Sequence, residues 1–308
     1  MVFVHCSWFP RKAIAICKIN FSKFIQLPIL FEAICLHLLP MKKLLFSFTL
    51  LCSTLLHAYD NPTVGPRSLA MAGCGVSIKD DIWATQNNQA ALAWLKGFHC
   101  GAMYESRFLV SDLGMKAVGA SIATGGGNIG LNLTSLGLGN LYSENKAGVC
   151  YAKPFGDKIA AAVQLDMIYT HIAENYGSAT TACGEFGLIG TPVKDLTIGF
   201  HIFNPTRAKL GGTVNEHIPT VIKLGGTYKF SDVVNVSLEA AKDIDYKTII
   251  RGGLEYRPVN NFYLRAGAAS NPGLVSFGFG VIMKNFRLDV SASWHSVLGF
   301  SPALGLEY

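Results

Sequence analysis

A stretch of ten residues near the C-terminus constrains the fold more than any other part of the sequence. From Phe286 to His295 apolar and polar residues alternate without a break, which predicts a β-strand with one apolar and one polar face. The same alternation recurs in earlier stretches, and turn signals rich in Gly, Pro, Asn and Asp separate them. The runs between turns predict about fourteen strands of roughly 9 to 13 residues in residues 97–308.

The beginning of the sequence predicts export from the cytoplasm. Met41-Lys42-Lys43 precedes an apolar run from Leu44 to Leu56, and His57-Ala58 follows, which is typical of a signal peptide cleaved after Ala58. The run is too short for a spanning helix, which needs about 20 apolar residues. The alternative for this segment is a lipidated Cys52.

A complete signal peptide at 41–58 leaves the residues before it to be explained. Residues 1–40 are interpreted as an extension that results from a start codon assigned too far upstream. The alternative is a membrane anchor formed by residues 25–39, although Pro28 and Glu32 suit a bilayer poorly. Residues 1–58 are therefore left out of the fold prediction.

Composition narrows the class of the remaining 250 residues. They hold 20 basic and 19 acidic side chains and all 32 glycines of the chain. Near neutrality argues against a protein that binds nucleic acid through bulk charge. So much glycine argues against a helical bundle or coiled coil.

The alternating strands fit either a membrane barrel or an exported soluble sandwich whose apolar faces turn inward. Three features favour the barrel: the export signal, aromatic residues near strand ends, and the last strand. From Phe300 to Tyr308 apolar residues recur at every second position up to a terminal aromatic, which resembles the strand that the barrel assembly machinery recognises. Lipid offers no hydrogen-bond partners, so the strand near Tyr308 is expected to pair with the strand near Phe98–Arg107.

In a membrane barrel the polar strand faces point into the lumen. The charged residues predicted to lie there are Lys223, Glu239, Arg251, Glu255, Arg265, Arg287 and Asp289. One interpretation is that they pair across neighbouring strands and hold the wall together. The other is that they line a water-filled passage.

The segment 59–96 shows no strand alternation. Asp80 or Asp81 is expected to cap a short helix, and a second helix is expected over Gln89–Leu95. Fourteen strands enclose more room than side chains alone fill, whereas eight strands do not. The segment is therefore predicted to form a hatch inside the lumen, with the barrel in 97–308.

Three motifs of this segment resemble the N-terminal hatch of one family of outer-membrane barrels. They are Arg67-Ser68-Leu69-Ala70-Met71-Ala72-Gly73, Asp80-Asp81-Ile82-Trp83-Ala84 and Asn87-Asn88-Gln89-Ala90-Ala91-Leu92-Ala93. The family comprises the FadL-like long-chain fatty-acid transporters and the PorV- and PorQ-like barrels of Bacteroidetes. The stretch Arg251–Pro258 also resembles that family's closing hairpins. One departure is that Asn88-Gln89-Ala90-Ala91 stands where the family has Asn-Pro-Ala-Gly.

The resemblance implies an all-β, transmembrane, antiparallel barrel of about fourteen strands with an N-terminal plug. The hatch positions that it carries over are Arg67, Ser68, Gly73, Asp80, Asp81, Trp83, Asn87 and Asn88. It implies passive transport of hydrophobic or amphipathic small molecules across the outer membrane, or else an accessory role in protein secretion or surface attachment. The alternative is that these residues have a structural role and only pack the plug inside the barrel.

Nothing in the sequence predicts an enzyme, a cofactor or a metal site. Ser291, Ser293 and His295 share one strand face without a nucleophile–base–acid arrangement. The histidines His171 and His201 stand alone, and no cysteine pair has metal-ligand spacing. The mature cysteines are Cys74, Cys100, Cys150 and Cys183, and the sequence leaves open whether they form disulfides.

Overall fold

A computed structural model describes most of the chain beyond residue 61. The described ranges are 62–137, 141–173, 177–210, 217–271 and 273–308. The predicted upstream extension and signal peptide lie outside the described residues, as do residues 59–61 of the predicted hatch. No helix in the described ranges is long and apolar enough to cross a membrane.

Fourteen antiparallel strands form one closed barrel, in which every strand pairs with its neighbours in sequence. The strands are β1 Phe98–Ser106, β2 Gly114–Thr124, β3 Gly127–Gly137, β4 Tyr142–Phe155, β5 Ile159–Ile172, β6 Gly177–Val193, β7 Leu196–Phe203, β8 Val221–Ser231, β9 Val234–Asp243, β10 Ile249–Val259, β11 Phe262–Ala269, β12 Leu274–Met283, β13 Phe286–His295 and β14 Gly299–Glu307. Closure occurs between β1 and β14, where Gly101 lies opposite Glu307. The predicted fold class and the predicted closing pair are confirmed.

Strand lengths depart from the prediction on one side of the barrel. Strands β4 and β5 have 14 residues each and β6 has 17, against the roughly 9 to 13 expected. Their hydrogen-bond ladder continues as far as Tyr142–Ile172 and Ile172–Gly177. The outward residues of this part, such as His171 and Ser178, are polar, so the hairpin extends beyond the apolar part of the wall.

The barrel is apolar outside and polar inside. On β5 Leu165 is 67% exposed while its neighbour Asp166 is 1% exposed, and on β13 Trp294 is 53% exposed while Asp289 is 1% exposed. In a soluble sandwich the apolar face would be the buried one. An apolar exterior over a polar interior is instead the pattern of a membrane-spanning barrel.

The two ends of the barrel differ in the length of their connections. At one end, here the short-turn end, the strands are joined by turns of two or three residues, and β1 begins and β14 ends. At the other, the long-loop end, connections reach 17 residues between β7 and β8. In that loop Leu210 and Ile218 are buried against Ile168 and Phe203 of the wall.

Residues 62–95 form short helices rather than strands. They are α1 Pro66–Ala70, α2 Ala84–Asn87 and a 3₁₀ helix at Gln89–Trp94. Neither candidate cap caps α2, because its N-cap is Trp83 and no side chain bonds there. Asp81 Oδ1 accepts a hydrogen bond from Trp83 N at 2.9 Å in the turn before the helix, and Asp80 is exposed. This segment, called the hatch below, is buried against the inner wall along most of its length.

One apolar core lies between the hatch and the seam where β1 meets β14, and another lies between the 3₁₀ helix of the hatch and strands β4 to β6. Trp83 is fully buried and packs with Val64 and Ile82 of the hatch. The wall contributes Met103 from β1 and Ala303 from β14 to the same cluster. All four cysteines in the described residues are free thiols.

Candidate functional site

The hatch meets the barrel wall along a belt of inward-facing glycines. Ten strands each carry one glycine at which an added Cβ atom would lie within 3.0 Å of a hatch atom. The belt consists of Gly101, Gly119, Gly130, Gly187, Gly199, Gly225, Gly253, Gly267, Gly278 and Gly305. At Gly253, for example, a Cβ would lie 2.6 Å from Met71 Cβ. Since contact this close excludes every larger residue, the glycine belt allows the hatch to lie directly on the wall.

One ion pair joins the first helix of the hatch to the wall. Arg67 donates from Nε to Glu255 Oε2 at 2.9 Å and from Nη2 to Glu255 Oε1 at 2.8 Å. This bidentate geometry is the strongest form of carboxylate recognition by arginine. Burial alone would lower the pKa of Arg67, but the charge and hydrogen bonds of Glu255 raise it above its ordinary value.

Glu255 is the first member of a buried charge network that continues around the wall. Arg265 donates from Nε to Glu255 at 2.8 Å and from Nη1 to Asp289 at 2.6 Å. Arg287 Nε lies 2.8 Å from the other oxygen of Asp289. Arg265 reaches from β11 to β13 because the intervening inward residue on β12 is Gly280, whose missing side chain leaves the space. These four predicted lumen residues therefore lie together.

Glu239 binds the hatch backbone instead of a hatch side chain. Its Oε2 accepts from Gly75 N at 2.8 Å and from Val76 N at 2.9 Å, and its Oε1 accepts from Arg251 at 2.7 Å. Arg251 and Glu239 lie directly opposite each other on β10 and β9. The nearby thiol of Cys74 is buried, and burial with the charge of Glu239 raises its pKa to about 12.

Two asparagines fix the bends of the hatch. The Asn87 side chain accepts from Val64 N at 3.1 Å and donates to Val64 O at 2.6 Å. Asn88 donates to Val76 O at 2.7 Å and to Leu188 O of the wall at 3.1 Å. At the departure from the family pattern, Gln89 begins the 3₁₀ helix that Asn88 caps.

The remaining predicted residues take minor places in this arrangement. Ser68 lies 3.4 Å from the Asn87 amide. Gly73 adopts a positive φ of 88° and its carbonyl accepts from Thr63. Lys223 is buried opposite His201.

The structure brings together a polar cluster around Glu185 that was not predicted from the sequence. Glu185 on β6 accepts from Lys146 at 3.0 Å and lies 2.8 Å from His201 Nε2. Gln89 of the hatch donates to the same carboxylate at 2.6 Å. The sequence places His201 alone, because strand pairing and not spacing brings it to Glu185. The only signal in the sequence is that Lys146 and Glu185 occupy inward positions of their alternating strands.

The packing of hatch and wall is incomplete at the short-turn end. Two adjoining cavities of about 320 and 250 Å³ lie there, and Arg67, Asp80 and Glu255 line both. The first also borders Tyr263, and the second borders Met71. These short-turn cavities lie on the Arg67 side of the hatch, beside the Arg67–Glu255 contact.

Comparison with solved structures identifies the architecture. The CymD monoaromatic hydrocarbon channel superimposes with a TM-score of 0.63 at 15% identity, covering 79% of this chain and 97% of the channel. The Pseudomonas putida toluene transporter TodX gives 0.60 at 13%, covering 82% and 98%. A Pseudomonas aeruginosa FadL homologue gives 0.57 at 12%, covering 80% and 98%.

The chain has the fold of these FadL-type transport barrels. No protein-family model matches the sequence, and no curated protein does so either. The fold that the sequence resemblance implied is therefore confirmed by structure. The relation to PorV- and PorQ-like barrels stays a prediction, and so do the roles of the individual hatch and lumen residues.

Proposed function

We propose that this protein transports small hydrophobic or amphipathic molecules passively across the outer membrane. The observation that carries the proposal is the closed fourteen-stranded barrel, and the solved structures that share this fold include a monoaromatic hydrocarbon channel and a toluene transporter. The apolar exterior supports a place in the bilayer. The function is binding and passage without catalysis, and no cofactor takes part.

The proposed topology follows from the two ends of the barrel. Outer-membrane barrels have short turns on the periplasmic side and longer loops outside. The short-turn end, with the C-terminal Tyr308, therefore faces the periplasm. The predicted signal peptide at 41–58 delivers the chain there, and the barrel assembly machinery recognises the last strand.

The hatch is the proposed gate. The hatch lies directly on the wall at the glycine belt, so we propose that a solute crosses when part of the hatch moves. The short-turn cavities leave room beside the Arg67–Glu255 pair. We propose that the Arg67 side of the hatch moves first and that the solute leaves there.

A crosslink between hatch and wall tests the gate. Ser77 Oγ and Thr227 Oγ1 lie 2.8 Å apart, so Ser77→Cys with Thr227→Cys, in a Cys74→Ala background, places two thiols within disulfide reach. Uptake of radiolabelled toluene and oleate is measured in cells that lack other hydrophobic-solute transporters. We expect uptake above the empty-vector level after reduction and loss of that uptake after oxidation.

Ser77→Cys alone and Thr227→Cys alone, in the same background, serve as controls, because each passes through the same redox treatment without forming the crosslink. Uptake that never exceeds the empty-vector level would refute transport and favour the accessory role in secretion or surface attachment. Uptake that persists after the crosslink has formed would refute the movement of the hatch but not transport itself.

A further inference from the structure

A groove on the outer wall crosses strands β2 to β5. It has a volume of about 380 Å³, at the small end of the range for ligand sites. Its walls are the outward side chains of Val118, Leu133 and Met167, which are 47%, 56% and 60% exposed. The groove opens between them because Ala147, the outward residue of β4, has only a methyl group.

The groove lies where the polarity of the wall changes. Val118, Leu133, Ala147 and Met167 occupy one row of directly opposed residues across the four strands. The next row toward the long-loop end is Lys116, Ser135, Asn145 and Tyr169. An apolar row therefore meets a row in which every side chain carries a hydrogen-bond donor.

The donor row is suited to an anionic head group. Neighbouring strands lie about 4.8 Å apart, so four of them present donors over roughly 14 Å. Lys116 is the cation of this row, and its exposed side chain lines the groove. Tyr169 Oη donates to Ser178 Oγ at 3.0 Å, which holds the far end of the row in place.

We propose that this groove is a binding site for one phosphorylated, acylated lipid of the outer leaflet. An acyl chain lies in the groove over Ala147, and a phosphate of the head group contacts Lys116 with Asn145 and Ser135 as further donors. The site uses the barrel orientation proposed above, but it is separate from the solute path, since its side chains point away from the lumen.

Native mass spectrometry of the detergent-purified barrel tests the site with three probes: bisphosphorylated lipid A, phosphatidylcholine and inorganic phosphate. We expect lipid A to be retained in preference to the other two. Lys116→Gln should weaken retention about fivefold, since one lysine near an anionic lipid surface contributes about that factor. Ala147→Phe fills the groove and should weaken it at least as much.

Two matched variants separate this site from general contact with lipid. Lys153→Gln removes an outward lysine of β4 at the short-turn end, and Ala268→Phe enlarges an outward alanine on β11. Both should retain lipid A as wild type does, and heat-modifiable gel mobility shows that every variant is folded. Equal loss in test and control variants, or no loss in either test variant, would overturn the site.

The probes also identify other occupants. Retention of phosphate alone, or of phosphatidylcholine as strongly as lipid A, would refute a site for a phosphorylated acyl lipid. Displacement of lipid A by toluene at low concentration would make the groove a solute site and refute it as well. Solute uptake measured on the same variants is independent of these outcomes, so a failure here leaves the transport proposal standing.

Discussion

Replacing Arg67 with Met should release the hatch while the barrel stays folded. The change removes two hydrogen bonds to Glu255, at 2.9 and 2.8 Å, and keeps most of the apolar stem. Glu255 retains Arg265 at 2.8 Å, so the carboxylate is not left unpaired. The cost therefore lies near the lower limit of about 3 kcal/mol for breaking a buried pair. That corresponds to roughly a 150-fold larger population of undocked hatch.

The thiol of Cys74 reports this population. Cys74 belongs to the hatch and is buried against Ser237 of the wall while the hatch is docked. Its pKa of about 12, with burial as the main cause, keeps it protonated at neutral pH. Maleimide labelling then requires undocking, and its rate follows the open population when docking is fast. Peptide mass spectrometry measures labelling at Cys74 and, as an internal reference, at the buried wall residue Cys183.

The matched control is Arg257→Met. Arg257 lines one of the same short-turn cavities but donates to the backbone of Asp232 and not to the hatch. We expect Cys74 labelling to accelerate on the order of 100-fold in Arg67→Met and to stay unchanged in Arg257→Met. Acceleration of less than threefold would refute the Arg67–Glu255 pair as a hatch latch. Equal acceleration at Cys183 would show general unfolding instead.

Two further predictions concern the glycine belt and the topology. Gly253→Val should undock the hatch and raise Cys74 labelling, because its side chain collides with Met71, whereas Gly252→Val on the outward face should not; equal rates in the two variants would contradict the role of the belt. A membrane-impermeant maleimide added to intact cells should label Asp245→Cys at the long-loop end but not Asp232→Cys at the short-turn end, and the reverse pattern would invert the proposed orientation.

The sequence carries the barrel wall but little of the hatch geometry. Alternation is local, so residues such as Leu288 and Asp289 reveal their faces from their neighbours alone. The partners of Arg67 are different, because Glu255 lies 188 residues away and no spacing rule connects them. The same holds for Glu185 and His201, which strand register brings together.

The glycine belt shows why this part was not predictable. Glycine in a strand signals a bulge, a bend or a close approach, and the sequence does not say which of these applies at each position. Only the closed barrel shows that ten of these glycines face one inner segment. The pattern of inward residues could be predicted, whereas what they contact required the assembled ring.

The position of the hatch also affects how the barrel is closed between β1 and β14. The β1–β14 junction has five directly paired positions, against fourteen between β4 and β5. Ile82 and Pro66 lie against Gly101 on one side of this junction and Gly305 on the other. The hatch therefore also contacts both strands of the shortest ladder and stabilises their pairing. A variant that lacks the hatch residues should pair β1 with β14 more slowly or less completely.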